Sequence, residues 1–259
     1  MITTSIITTS YNNQNGLALT IGSALAAMGP NTEFLIADDA STDGTWDELE
    51  RWHSNDTAIG SHLRIFRNEK NLGATQSRNR LLGLASGEYI SILDSGDLIL
   101  PTKIATHEAA LELSRARNKK YTPPDVVVGR AAVKSSHSPW HSLPPQGFAL
   151  GFDLAQPYHF VFSAMTFRRS ALERVGGFEE PIYTAEGIDA FLKMGDRAAQ
   201  IYLPQFACLK FRNPQSRSQR FSATHSALIT QTLYSRTLTR RFGPTAAAAY
   251  RGRTSLGAD

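Results

Sequence analysis

A single cysteine, Cys208, stands in 259 residues, so the chain has no disulfide of its own. That scarcity fits a reducing compartment. Long apolar runs are missing too: none approaches the ~20 residues that span a bilayer. The opening Met1-Ile2-Thr3-Thr4-Ser5 has neither a basic region nor a small-residue cleavage site, so no secretory leader is expected. These absences give the expectation of a cytoplasmic protein not integral to a membrane. Acid is missing from the final stretch. Between Arg197 and Ala258 there is no Asp or Glu, while Lys210, Arg212, Arg217, Arg220, Arg236, Arg240, Arg241, Arg251 and Arg253 are cationic. The stretch reads either as a solvated face or as a surface for an anionic partner, phosphate or acidic lipid. Nucleic acid is not expected, because aromatics do not interleave with the basic residues as single-strand binding needs. No Gly-x-Ser-x-Gly elbow and no Walker loop is present.

What is there alternates. Ser5-Ile6-Ile7-Thr8-Thr9-Ser10 is short, β-branched and apolar on both faces, the signature of a buried parallel strand. Leu17, Ile21, Ala24, Leu25 and Met28 follow at helical spacing, and Gly29-Pro30 stops that helix. Strands are expected over Glu33–Ala37, Leu63–Phe66 and Glu88–Leu93, with helices carrying Trp46, Leu49 and Trp52, then Ala74–Ala85, then Pro101–Arg117. Strands alternating with helices predict an α/β fold: a doubly wound, mostly parallel sheet with helices on both faces. The second half reads less regularly. Strands are expected over Asp125–Ala132, Val161–Phe167 and Ile201–Phe211, and helices over Ser170–Val175, Glu186–Met194 and Ser222–Arg241. The Ser-, Pro-, His- and Gly-rich stretch Ser135–Gly151 reads as a loop or flap. One domain is expected over residues 1–242, with 243–259 a disordered tail.

In an open parallel sheet, ligands sit outside the carboxyl ends of the strands, where strand order reverses. Here those ends carry Thr9-Ser10-Tyr11, Asp38-Asp39, and Asp94 with Asp97. Any one of them alone reads equally well as a helix cap; three together favour a site.

The ordered blocks resemble glycosyltransferase family 2. They are Ser5–Asn12, Asp38-Asp39-Ala40-Ser41-Thr42-Asp43-Gly44-Thr45, Asn71-Leu72-Gly73 with Ser77-Arg78-Asn79, Ala85–Ile90 with Leu93-Asp94-Ser95-Gly96-Asp97, and Met165–Arg169 with Val175–Phe178. The resemblance spans about residues 3–213 and implies a GT-A fold with a nucleoside-diphosphate sugar donor, commonly a uridine or thymidine diphosphate sugar. Residues 1–100 then form the nucleotide-sugar-binding half and 101–242 the acceptor half. By position, the resemblance gives Thr9 and Tyr11 to the base and ribose, Asp39 to the pyrimidine ring N–H, and Arg78 and Asp94 to the nucleotide or its diphosphate. It also implies a divalent metal, manganese or magnesium, on Asp94 and Asp97. The implied acceptor is a glycan or a lipid-linked sugar, with inversion at the anomeric carbon. The basic C-terminal region offers a peripheral contact with an anionic membrane.

Three positions depart from the family. Gly96 stands where the second aspartate of D-x-D is usual. Gly187 follows Glu186 where the family has Glu-Asp, which leaves Glu186 or Asp189 as candidate general base. Phe211-Arg212-Asn213 falls where relatives carry Tyr-Arg-x-His. Two readings follow: a glycosyltransferase with a rearranged site, or a nucleotide-sugar-binding scaffold with little transfer activity.

Overall fold

The computed structural model describes residues 3–55, 62–117, 124–135, 138–143, 161–179, 190, 193–194, 199–211 and 239. Along the chain they form β1 (Thr4–Ser10), α1 (Gln14–Ala27), β2 (Thr32–Asp38), α2 (Thr45–Asn55), β3 (Leu63–Arg67), α3 (Ala74–Leu84) and β4 (Tyr89–Ile92). Then come β5 (Leu98–Ile99), α4 (Lys103–Arg117), β6 (Val126–Ser135), β7 (Ser138–Leu143), a 3₁₀ turn (Phe162–Ala164), β8 (Met165–Arg168), α5 (Arg169–Arg174) and β9 (Gln200–Phe211). One sheet runs β3-β2-β1-β4-β8-β6-β9-β5, with β7 added beside β6.

The first four strands are parallel, and β1 lies between β2 and β4. Strand order therefore reverses at β1, because the chain builds outward to β3 and then returns to the other side. Period-two alternation divides the core. Ile7, Leu35, Ile90 and Ile92 face Leu81 of α3 and Leu172 of α5. Ile6, Phe34 and Ile36 face Leu17 and Ile21 of α1, Leu49 of α2 and Ile104 of α4. Full burial of each such side chain contributes roughly 1.5–3 kcal/mol. Apolar residues on both faces explain the unbroken hydrophobic runs of the sequence.

Gly87 shows how tightly the layers close. A Cβ there would lie 2.6 Å from the Ser5 backbone nitrogen and 2.9 Å from the Thr4 carbonyl carbon. Gly87→Ala is expected to lower the melting temperature by about 5 °C, the scale of a 1–3 kcal/mol overpacking penalty in a domain of this size. Scanning calorimetry checks it, and an unchanged Tm would show that β1 gives way freely.

The second half differs from its sequence reading in three places. Ser138–Leu143, read as part of a loop, is β7, antiparallel to β6 through Ala131↔Leu143 and Ala132↔Ser142. Its polar composition hid it, but Trp140 meets the Phe211 ring edge-on at 5.4 Å, and Pro139 is tolerated on an edge strand. Leu98–Ile99, between the acids and the expected Pro101 helix, is β5, antiparallel to β9. Val161–Phe167 divides into the 3₁₀ turn and β8. β8 runs antiparallel to both of its neighbours, β4 and β6, while β6 and β9 run parallel. The expected helix Ser222–Arg241 and the tail 243–259 lie outside the described residues, save Thr239. Of Glu186–Met194 only Ala190, Lys193 and Met194 are described.

Candidate functional site

The carboxyl ends of β2, β1 and β4 meet along one edge, with Thr9, Asp39 and Asp94 together on it. The Asp39 backbone N–H donates to the Ser10 carbonyl at 2.8 Å. The Ser10 and Ser95 hydroxyls are 3.1 Å apart, and Asn13 Nδ2 donates to Ser95 Oγ at 2.7 Å. The end of β1 is thereby tied to both neighbours. Thr9 is half-buried in β1, and Tyr11, just beyond it, is 49% exposed. An exposed aromatic beside a polar edge is available to a ligand.

Asp39 is 3% exposed and well supplied with donors. Its Oδ1 accepts from Asn68 Nδ2 at 2.8 Å, from the Leu72 N–H at 2.8 Å and from Ser77 Oγ at 3.0 Å. Its Oδ2 accepts from the Gly73 N–H at 2.8 Å. The carboxylate thus fixes the Asn71-Leu72-Gly73 turn at the start of α3, which repays its burial. With this one bond Oδ2 retains a lone pair for another donor.

Arg78, 4% exposed on α3, lies against two aromatic rings. Its guanidinium carbon lies 4.9 Å from the Phe162 ring centre and 5.6 Å from that of Phe178. Its Nη2 donates to Asp94 Oδ1 at 3.2 Å. The two rings pack edge-on at 5.6 Å, and the planar fork held against them is preorganised, which suits phosphate recognition.

Asp97 is placed differently from Asp94. It is 3% exposed and turns inward, accepting at Oδ2 from Ser163 Oγ at 2.6 Å and from Lys210 Nζ at 3.1 Å. Lys210 Nζ also lies 3.6 Å from Asp94 Oδ2. Burial pushes the Asp97 carboxyl up to about 6, against the pull of the ammonium. Burial also opposes the Lys210 charge, but the Asp97 and Asp94 carboxylates together hold its pKa above the ordinary lysine value. Gly96 crosses between the two acids at φ +98°, a conformation that side chains rarely adopt.

The expected metal pair therefore meets two cations of the chain itself, Arg78 and Lys210. A dication bridging both carboxylates would compete with the ammonium for its place. At about 4 Å it would meet roughly 8 kcal/mol of repulsion at an effective dielectric near 20. Among the described residues no group of three His, Cys, Asp or Glu is arranged to hold a metal. With Lys210 between them, Asp94 and Asp97 do not fit a chelating pair.

The remaining candidates, Glu186 and Asp189, lie outside the described residues, as do Gly187 and Asn213. Sequence reasoning missed Lys210, Ser163 and Lys103. Lys210 was one cation in a basic run. Strand alternation places it on the face of buried Cys208, which was the available signal. That thiol, pushed up to about 12 chiefly by burial, is inert core.

Residues 5–176 match the family described as Glycosyl transferase family 2. Over 111 residues, 43% of this chain, the sequence is 35% identical to the UDP-Glc:alpha-D-GlcNAc-diphosphoundecaprenol beta-1,3-glucosyltransferase WfaP of Escherichia coli. The matched stretch spans 42% of that relative's length. Among solved structures, S. aureus TarS 1-349 in complex with UDP superposes with a TM-score of 0.66 at 17% identity, covering 96% of this chain and 69% of that one. The mannosyltransferase PcManGT from Pyrobaculum calidifontis, in complex with GDP-Man and Mn2+, superposes with a TM-score of 0.61 at 17% identity, covering 99% and 76%. At these identities the structural likeness is one of fold. Among the described residues, no helix is long and apolar enough to cross a membrane.

Proposed function

The chain belongs to glycosyl transferase family 2 and has the GT-A fold, and from that premise we propose that it moves a sugar from a uridine or thymidine diphosphate sugar to a glycan or lipid-linked acceptor. One observation carries the reading: Thr9, Asp39, Arg78 and Asp94 converge at the carboxyl ends of adjacent parallel strands, at the point where strand order reverses. In this reading Thr9 and Tyr11 hold the base and ribose, and Oδ2 of Asp39 accepts the pyrimidine ring N–H. Arg78, steadied by Asp94, meets the diphosphate. A relative whose name includes UDP-Glc and a neighbour solved with UDP support the uridine choice.

The reaction asks for one bond made and one broken. An acceptor oxygen attacks the anomeric carbon from the face opposite the diphosphate. The bond to the diphosphate breaks, and the electron pair leaves with the nucleotide. The hydroxyl proton passes to a carboxylate, Asp189 or Glu186, and the configuration inverts. Preorganised cations at the leaving diphosphate lower the barrier by matching its developing charge. The basic run after Arg197 suits an anionic membrane at the cytoplasmic face, where a lipid-linked acceptor is met.

Arg78→Ala is expected to weaken uridine diphosphate binding at least tenfold, about 1.4 kcal/mol, by titration calorimetry. Unchanged affinity would remove the diphosphate from this edge. Of Asp189→Ala and Glu186→Ala, one is expected to lower sugar transfer or donor hydrolysis about 10²–10⁴-fold, the usual contribution of a general base. The glycines at 96 and 187 and Asn213 favour a second reading, a nucleotide-sugar-binding scaffold. Tight nucleotide binding with no donor hydrolysis above a buffer blank selects the scaffold.

A further inference from the structure

We propose that Lys210 is the resident cation of the diphosphate site, and that this chain binds its donor nucleotide without a divalent metal. The inference rests on the nucleotide-binding reading above. It is carried by the place of one side chain: Lys210 Nζ lies 3.1 Å from Asp97 Oδ2 and 3.6 Å from Asp94 Oδ2, between the acids on either side of the Ser95-Gly96 turn.

The backbone keeps it there. β9 pairs with β5 through Leu98↔Leu209 and Ile99↔Cys208, directly after the turn that carries the two acids. The Leu100 N–H donates to the Ala207 carbonyl at 2.9 Å. The lysine and both of its carboxylates thus belong to one hydrogen-bonded unit, and Ser163 Oγ fixes the far acid at 2.6 Å. The side chain of Lys210 is 27% exposed. An ammonium has three N–H donors. One serves Asp97, one points toward Asp94, and one remains for a phosphate oxygen.

The turn also lacks what a metal would need. A divalent ion at an oxygen-rich site is held by carboxylates free to coordinate it. Gly96 contributes no carboxylate, Asp97 is turned inward, and Asp94 Oδ1 is engaged by Arg78. Arg78 and Lys210 together carry the same two positive charges as a divalent ion, and both are fixed before a ligand arrives. A dianionic diphosphate meets a site whose positive charge is already in position.

The experiment is uridine diphosphate titration by calorimetry, on the full chain, in EDTA and then in manganese. Wild type is expected to bind with affinities within about threefold of each other. Lys210→Met keeps the stem and removes the charge; it is expected to bind at least tenfold more weakly in EDTA. Manganese is expected to restore part of that loss, because the carboxylates are then released. Manganese spin resonance on the same samples is expected to show no tightly held ion on wild type with nucleotide. Wild-type binding that requires manganese overturns the inference and leaves the nucleotide reading intact. Lys210→Met binding like wild type in EDTA also overturns it. No binding by wild type in either buffer fails the nucleotide reading itself, and this inference with it. The two wild-type titrations decide the metal question even if Lys210→Met does not fold, and Lys210→Gln, which keeps a polar head group beside the two acids, then tests the lysine by the same titration in EDTA.

Discussion

Asp39→Ala is expected to abolish uridine diphosphate binding and to lower the melting temperature by about 10 °C. The second effect comes from the hydrogen bonds. Removal of this carboxylate leaves Asn68 Nδ2, Ser77 Oγ and the N–H groups of Leu72 and Gly73 without their acceptor. Bonds to a charged acceptor contribute about 1.5–3 kcal/mol each, and relaxation recovers part of the loss. A net of roughly 4 kcal/mol corresponds to about 8–16 °C in a domain of this size. Loss of binding by the alanine variant therefore mixes two causes, loosening of the Asn71–Gly73 turn and loss of the base contact. Asp39→Asn separates them. It keeps the shape and leaves an oxygen toward Asn68, Leu72 and Ser77, while the second position becomes an N–H donor. A ring N–H then finds no acceptor, but the ring nitrogen of cytosine, itself an acceptor, does find a partner. The expected result is a modest fall in Tm with a shift of preference from uridine toward cytidine diphosphate. Asparagine that leaves uridine binding and preference unchanged would confine Asp39 to holding the turn.

The parallel half of the fold was legible because its strands are buried on both faces, so that Ile6-Ile7 and Phe34-Leu35-Ile36 read as unbroken apolar runs. Once those strands are parallel, the edge that carries Thr9, Asp39 and Asp94 follows from topology, and Arg78 from the helix that faces it. Lys210 was not legible for a reason of distance. Its partner Asp97 is 113 residues earlier in the chain, and the contact exists only through the β5–β9 pairing. A two-residue strand leaves almost no periodic signal. Asp97 illustrates a related limit. Its place after Asp94-Ser95-Gly96 fits a metal ligand on spacing alone, but burial against Ser163 decides its direction, and burial is a tertiary property. β7 was hidden by composition: serine, proline and histidine read as loop, although pairing with β6 and the Trp140–Phe211 contact select a strand.

The stability of wild type relative to Lys103→Met is expected to rise as pH rises above 7. Lys103 is 1% exposed beneath the site, and its Nζ lies 2.7 Å from the Ser163 carbonyl, 3.1 Å from that of Ile92, 3.3 Å from that of Met165 and 2.8 Å from Ser91 Oγ. Burial pushes the ammonium down to about 7, against the attraction of the acids nearby. Both protonation states have partners. The ammonium donates to the three carbonyls; the amine donates to the two nearer ones and accepts from Ser91. The unfolded chain keeps the lysine proton up to the ordinary lysine value of 10.5. Between about 7 and 10.5 the unfolded state therefore binds more protons than the native state, and native stability rises with pH, by up to about 1.4 kcal/mol per unit. Below 7 both states are charged and the burial penalty is constant. Methionine has no such slope, and groups common to both proteins cancel in the difference. Urea unfolding at pH 6, 7 and 9 is expected to show the stability of wild type minus that of the variant nearly constant from 6 to 7. It then grows by about 2–3 kcal/mol from 7 to 9. Parallel stability curves would mean that the carbonyl cage holds the ammonium charged throughout. A wild-type-minus-variant value that falls with pH would reverse the sign and exclude desolvation as the dominant force on this lysine. The same residue bears on the site, because the carbonyl it grips belongs to Ser163, whose hydroxyl donates to Asp97 and accepts from the Asp94 N–H at 3.0 Å. A loosened Lys103 therefore releases the acids that hold Lys210, and the variant is expected to bind uridine diphosphate more weakly without touching it.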